Sequence, residues 1–310
     1  MASTDVACPS CGDIHLVHVG VIPEGYQFAG RTLDERIPGG SLYRCENCHL
    51  AFKHPCLSKE DLNRLYQLAE AAVWTYDPEK RPDWTLAKTV LSESLLSGKL
   101  LDVGCFDGGF LRYVVDSSSD WMPYGVELNV EAAQRATSHG IEMVGSDADS
   151  VQGIGTYDAV VSFDVIEHLT DPAAFLKSLT ELVRPGGLIM ISTGNVDAAS
   201  WKLMGSRYWY CALAEHLSFI SPAWCRSISG DLNLSVERIH TFSHEQNRTV
   251  QLRIAEAAKN IIYRVFPGLF KKLRQRGMGG VDIESNPELA DTPPIWITAE
   301  DQFMVVFKKL

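Results

Sequence analysis

The sequence predicts an α/β protein, a doubly wound and mostly parallel sheet preceded by a small cysteine-held module. Three observations carry that expectation. From residue 98 onward, apolar runs of strand length alternate with amphipathic stretches of helix length, the order that builds a parallel sheet covered on both faces. The first run, LLDVGCFDGGF at 100–110, ends in a glycine-rich turn and a helix start, where such sheets hold nucleotide-like ligands against backbone N–H groups. Upstream, two CxxC pairs, Cys8 with Cys11 and Cys45 with Cys48, flank a stretch rich in Gly and Pro.

The four paired cysteines match tetrahedral zinc, each pair supplying two sulfurs from one tight knuckle. A disulfide framework belongs to small, secreted, cysteine-dense chains, whereas here Cys56, Cys105, Cys211 and Cys225 are scattered singly. With all four positions filled by thiolates the metal is expected to be structural. Residues 1–56 thus read as a zinc ribbon, with short strands around His15–Val21 and Ser41–Arg44. The loop between the pairs (Pro23, Gly25, Gly30, Pro38, Gly39, Gly40) has too little core to fold alone. Residues 57–97 read as a helical connector. Ser58 caps a helix over 58–71 with Leu62, Leu65, Tyr66 and Leu68 at helical spacing, and a second helix lies near 83–97. Between them Trp74, Tyr76 and Trp84 serve as interface packing or as a lid over the ligand pocket.

The domain expected over 98–310 has strands at 99–104, 123–128, 141–144, 157–165 and 187–193 and helices near 108–116, 129–139, 147–152 and 172–184. The last helix is the clearest, with Asp171 as N-cap, Pro172 at its first position and Phe175, Leu176, Leu179, Leu182 and Val183 on one face. A Trp- and Tyr-rich region (201–229) precedes strands at 234–242 and 301–309, separated by an insertion over 246–294. Within it, 253–276 carries seven Lys/Arg against one Glu, with apolar residues at i, i+4 spacing and Pro267 interrupting the helix. It reads as a covering helix with a solvated basic face, or as a peripheral contact with a membrane or a lipid-linked glycan.

Composition narrows the partners. A 45% hydrophobic, 22% charged chain of 310 residues is ordinary for a globular protein. Its net charge of -11 argues against nucleic-acid binding through an overall field. No apolar run approaches the roughly 18 residues of a membrane span, and the N-terminus MASTDVACPSCG does not look like a signal peptide. A cytoplasmic enzyme acting on small or glycan-type molecules is the expectation.

A Gly-Lys-Ser/Thr phosphate loop is absent from the turn at 104–109. Asp102 and Asp107 would repel a pyrophosphate and suit a cationic ligand such as a sulfonium with an α-amino group. Glu127, ending the second strand in YGVELN, is placed for ribose hydroxyls, a feature that dinucleotide sites share. Together LLDVGCFDGGF, YGVELN, GSDA (145–148), YDAVVSFDVIEHL (157–169) and VRPGGLIMIST (183–193) resemble class I S-adenosylmethionine-dependent methyltransferases over 98–310. The resemblance implies a Rossmann-like sheet of seven strands with an antiparallel last strand, and S-adenosylmethionine as cofactor. It places Asp102 and Gly104 beside the methionine part, with Gly108 in the same turn, Glu127 at the ribose, Asp147 near the adenine amino group and Asp164 beneath the cofactor. Phe106 stands where the family most often has glycine; if the position requires positive φ, the aromatic residue is strained there.

Methyl transfer needs an aligned acceptor and, for a weak nucleophile, a base. In CALAEHLSFIS (211–221) His216 is the candidate base with Glu215 beside it and Tyr208, Trp209 and Tyr210 upstream. A helix cap or a buried structural histidine is the competing reading, and Glu167 with His168 form a second candidate pair. The cysteine module joined to EHLSFIS resembles sugar C-methyltransferases and polysaccharide-biosynthesis methyltransferases, although the chain lacks the large C-terminal domain of the former. The leading expectation is a saccharide O-methyltransferase with His216 as general base. Alternatives are a quinone or other small-molecule O-methyltransferase, a sugar C-methyltransferase, a ribosomal RNA methyltransferase and a non-catalytic cofactor-binding subunit. The 33 residues between the CxxC pairs and the acidic charge weigh against RNA.

Overall fold

A computed structural model of the chain describes residues 6–29, 31–68, 80–95, 97–243, 249–277 and 287–310. Trp74 and Tyr76 of the aromatic linker lie outside the described residues. The first element, β1 (Leu16–Ile22), is followed by β2 (Gly25–Phe28), β3 (Arg31–Ile37), β4 (Gly40–Cys45) and β5 (Ala51–His54). β1 and β4, between the cysteine pairs, and β5, just after the second pair, form an antiparallel sheet. The Gly- and Pro-rich loop is more ordered than its composition suggests, because β2 and β3 pair as a hairpin within it. Phe28, Ala29 and Ile37 of the hairpin region are buried against Leu65 of α1 (Lys59–Leu68) and Ala214. Its core is therefore supplied from outside the module, which local composition cannot reveal.

The large sheet follows α2 (Pro82–Ser94). Its elements are β6 (Gly98–Val103), α3 (Gly109–Val115), β7 (Trp121–Val126), α4 (Val130–Ser138), β8 (Glu142–Gly145), β9 (Tyr157–Phe163), α5 (Pro172–Leu182) and β10 (Val183–Gly194). Then come α6 (Ala199–Met204), β11 (Ser218–Phe219), α7 (Pro222–Ser229), β12 (Leu234–Phe242), α8 (Val250–Val265), α9 (Pro267–Arg274) and β13 (Gln302–Lys309). The strand order is β12-β13-β10-β9-β6-β7-β8. The pairs from β10 to β8 are parallel, and β13 runs antiparallel to both neighbours. This is the seven-stranded, mostly parallel sheet expected from the sequence.

Successive strand residues point to opposite faces, and both faces are buried. Leu101, Val103, Val160, Ile189 and Ile191 pack with Leu176 and Leu179 of α5 and Trp224 of α7. Leu100, Ala159, Val161, Leu188 and Met190 pack with Phe110 and Leu111 of α3 and with Trp84, Ala87, Val90 and Leu91 of α2. α2, read from sequence as part of a connector, thus covers the sheet, and Trp84 is a core residue rather than a lid. Helix α5 starts as its sequence dictates, with the Asp171 carboxylate accepting from the Ala174 N–H at 2.9 Å and Pro172 at the first position. Residues 147–152 form a single 3-10 turn, Ala148–Ser150, in place of the expected helix. Ser150 closes that turn on Asp147 through both backbone and side chain, and Val151 is already extended.

The cysteine module is continuous with this domain. β11 adds to β5 as the fourth strand of its sheet. The Ser227 hydroxyl donates to the Cys48 carbonyl at 2.9 Å and Trp224 Nε1 to Ser10 Oγ at 2.9 Å. Arg44 pairs with Asp197 at 2.8 Å.

Candidate active site

The strand order reverses between β6 and β9, and the crevice beyond the carboxyl ends of such strands is where open α/β sheets bind ligands. Asp102 lies in β6 at this edge, 2% exposed, and its Oδ1 has no partner among the described residues. Burial, reinforced by the nearby Glu127 carboxylate, pushes its pKa up to about 8. The chain then turns through Gly104 (φ +84°), Phe106 (φ +50°) and Gly108 (φ +78°). A Cβ on Gly104 would meet Val165 Cγ2 at 2.4 Å, and one on Gly108 would meet Ile141 Cγ1 at 2.7 Å. Phe106 does occupy the left-handed region, with its ring 5.2 Å from the Arg135 guanidinium carbon. Its N–H donates to Glu127 Oε2 at 2.9 Å while Glu127 Oε1 accepts from the Asn129 N–H at 2.7 Å. Glu127 therefore ties the end of β7 to the turn. Asp147 is exposed and caps the 3-10 turn, accepting from the Ser150 N–H at 2.8 Å.

Asp164, at the end of β9, also has positive φ (+53°) and pairs with Arg81 at 2.9 Å. Arg81 is held by Asp83 of α2 through bonds of 2.9 and 2.6 Å and lies over the Trp84 ring. Asp83 in turn accepts from the Ser192 hydroxyl at 2.8 Å. A buried ionic network thus borders the crevice. Arg81 and Asp83 precede the domain's first strand and carry little signal in the sequence; the one local sign is an acidic residue in the first turn of a helix.

The acceptor-side candidates converge beside Asp164. Glu167 is fully buried, accepting from the Tyr210 hydroxyl at 2.7 Å and from Thr193 Oγ1 at 2.8 Å. Burial and the Asp164 charge push its pKa up to about 7. The Leu217 N–H donates to the Glu167 carbonyl at 2.8 Å, bringing His216 to His168 with ring centroids 4.9 Å apart. The two candidate pairs from the sequence are therefore one cluster, in which donor atoms of Glu167, His168 and His216 lie within 4.8 Å of one another. His216 Nδ1 lies 3.1 Å from the Tyr210 carbonyl oxygen. A carbonyl only accepts, so Nδ1 carries the proton and Nε2 the lone pair. Burial, with the neighbouring His168 and Lys53, holds its pKa well below the usual imidazole range.

Glu215 turns the other way. Its Oε1 accepts from the Ala29 N–H at 2.9 Å, and Oε2 is buried with no partner among the described residues. Burial raises its pKa, opposed by His168 and Lys53. Lys53, on β5, is itself buried; its backbone N–H donates to the Leu217 carbonyl at 2.9 Å and its Nζ to the Leu213 carbonyl at 3.2 Å. The cysteine module thereby grips both sides of Glu215 and His216. At its far end the sulfurs of Cys8 and Cys48 stand 3.4 Å apart and those of Cys11 and Cys45 3.6 Å apart. Four thiolates about 2.3 Å from a shared tetrahedral ion would stand about 3.8 Å apart, so the cluster fits one metal ion.

Residues 74–238, just over half of the chain, match the family described as "Methyltransferase domain". The chain belongs to this family. It is an S-adenosylmethionine-dependent methyltransferase. Among its relatives, the ubiquinone biosynthesis O-methyltransferase of Leptothrix cholodnii is 27% identical over 240 residues, 67% of this methyltransferase and 97% of that protein. That of Pectobacterium atrosepticum is 31% identical over 128 residues, 38% of this chain and 52% of that protein. In fold, the methyltransferase resembles phosphoethanolamine N-methyltransferase 2 of Haemonchus contortus, solved with S-adenosylmethionine. The TM-score is 0.50 at 14% identity, covering 84% of this chain and 61% of that one. A methyltransferase activator–methyltransferase complex of Haloferax volcanii also gives 0.50 at 15% identity, covering 77% and 97%. No helix among the described residues of the methyltransferase is long and apolar enough to cross a membrane.

Proposed function

We propose that this protein transfers the methyl group of S-adenosylmethionine to a phenolic hydroxyl of a small quinone-precursor molecule, with His216 as the general base. What supports a quinone-type acceptor over the saccharide expected from the sequence is the name shared by the relatives above, ubiquinone biosynthesis O-methyltransferase. The observation that carries the catalytic assignment is the His216 tautomer, a buried neutral imidazole whose Nδ1–H is spent on the Tyr210 carbonyl.

The crevice fits the cofactor. Asp102 offers a cationic amino group a buried carboxylate oxygen that has no partner among the described residues, and the backbone at Gly104 and Gly108 leaves no room for side chains. Glu127 would take the ribose hydroxyls, Asp147 the adenine amino group, and Asp164 would line the cofactor pocket. When bound, S-adenosylmethionine supplies an electrophilic methyl group. His216 Nε2 takes the acceptor's hydroxyl proton as the phenolate forms. Glu215, held by the Ala29 N–H and facing His168 and Lys53, orients the segment that carries His216. Cys8, Cys11, Cys45 and Cys48 would hold a structural zinc ion, their four thiolates filling its tetrahedral positions.

The test incubates the protein with labelled S-adenosylmethionine and, in parallel, a prenylated catechol, a nucleotide-linked sugar and ribosomal RNA. Label is expected in a catechol methyl ether; label only in the sugar or RNA overturns the acceptor. His216→Gln is expected to lower kcat by about 100-fold or more with S-adenosylhomocysteine affinity unchanged. Full turnover by that variant removes His216 from the mechanism.

A further inference from the structure

The amphipathic pair α8–α9 presents its apolar side to solvent. At 3.6 residues per turn, Val250, Ile254, Ile261 and Val265 fall on one stripe of α8, and Phe266 at the Pro267 junction and Leu269 of α9 are exposed as well. These six side chains are 45–70% exposed. Soluble proteins rarely leave so continuous an apolar strip uncovered. The opposite side of the pair is already used. Tyr263 and Phe270 meet edge to face at 5.2 Å and pack into the aromatic cluster of Trp201, Tyr208 and Tyr210. The stripe therefore lies on the outer side of the layer whose inner side backs the Tyr210–Glu167 bond.

Charge identifies what the stripe meets. The whole chain carries -11, yet 253–276 holds seven basic residues and one acidic residue. Arg274 is spent on the carbonyls of Leu289 and Thr292, and Lys271 on Asp291. Arg253, Arg264, Lys272 and Arg276 are exposed. Arg253 and Arg264 fall on neighbouring helical positions to one side of the stripe. A basic rim beside an exposed apolar stripe is the pattern of a helix lying in the interface of an anionic bilayer, with its apolar side in the acyl boundary. We propose that α8–α9 is a peripheral docking surface for an anionic lipid bilayer, which turns the acceptor side of the enzyme toward the membrane. Delivery of a lipophilic acceptor along this route rests on the quinone-precursor reading; the docking itself does not.

The experiment is co-sedimentation of the full chain with phosphatidylcholine vesicles, with and without about one-third phosphatidylglycerol. Binding is expected to the anionic vesicles, at least about tenfold weaker to the neutral ones, and falling as salt is raised. Ile254→Asp with Val265→Asp should weaken it at least about tenfold, as should Arg264→Glu with Lys272→Glu, while S-adenosylhomocysteine affinity stays unchanged. If the double aspartate variant loses that affinity, the single exposed change Ile254→Asp takes its place. Absence of vesicle binding overturns the proposal, as does binding that the aspartates leave intact. So does a dimer, seen by light scattering, that the aspartates dissociate in a protein that ignores vesicles. Vesicle binding with no methylation of the catechol leaves the docking standing and refutes only the acceptor.

Discussion

Cofactor binding should expel a proton from Asp102. Its carboxyl is buried, one oxygen has no partner among the described residues, and burial beside Glu127 pushes its pKa up to about 8. At pH 7 roughly nine in ten molecules are therefore protonated there. A cationic α-amino group beside Asp102 favours the carboxylate and returns its pKa toward or below the ordinary range near 4. Binding at pH 7 then releases about 0.9 proton, and affinity weakens about tenfold for each pH unit from 7 to 5. Above about pH 8 the ligand's own amino group begins to lose its proton, so affinity passes through a maximum. Titration calorimetry with S-adenosylhomocysteine in buffers of different ionisation enthalpy measures the release directly. Asp102→Asn should bind more weakly and release nothing. Release below about 0.2 proton at pH 7, or the same release from the Asn variant, would refute the placement of the amino group at Asp102. The sign carries over to stability. A folded pKa raised above the unfolded value means Asp102's contribution is complete below about pH 4 and lost as the pH rises to about 8, so the ligand-free protein loses stability across that window.

Further outcomes follow from the module contacts and the turn. Lys53→Met removes the Nζ bond to Leu213 and a cation facing Glu215 and His216. It should lower Tm by roughly 3–10 °C and, by side-chain NMR, raise the His216 pKa; an unmoved imidazole titration contradicts the coupling. Cys48→Ser should cut bound zinc, measured by mass spectrometry of the metal, from about one per chain to near zero. Its kcat should fall while S-adenosylhomocysteine still binds, since the module supports Glu215 and not the glycine turn. Gly104→Ala forces a Cβ onto Val165 at 2.4 Å in a left-handed conformation. A cost of about 1–3 kcal/mol is expected, read as weaker cofactor binding by fluorescence titration.

Legibility differed between parts of the molecule. The parallel strands of the large sheet are short apolar runs bounded by turns, and each was visible as such; Asp171 and Pro172 marked the start of α5 as plainly in sequence as in space. The 147–152 segment failed because one polar cap, Asp147, closes a single turn that a following apolar residue made look longer. The β2–β3 hairpin was invisible because Phe28, Ala29 and Ile37 pack on Leu65 and Ala214 rather than on one another's local neighbours. In the candidate site, Asp102 and Glu127 stood out as carboxylates at strand ends, Gly104 and Asp164 through the family resemblance, and Glu215 with His216 by residue type. Arg81, Asp83 and Lys53 were not, since a buried charge is recognised by its partners and theirs are distant in sequence.

By itself the sequence determined the methyltransferase sheet and its cofactor edge, because strand periodicity, glycine turns and carboxylates at strand ends act within a few residues of chain. Only the tertiary structure decided that His168 and His216 share one cluster, that Nδ1 of His216 is spent on a carbonyl, and that the cysteine module grips Glu215 through Ala29 and Lys53. Those facts depend on burial and, for His168, Ala29 and Lys53, on contacts between segments remote in sequence. The pairing of β11 with β5 joins the two segments that carry Lys53 and His216.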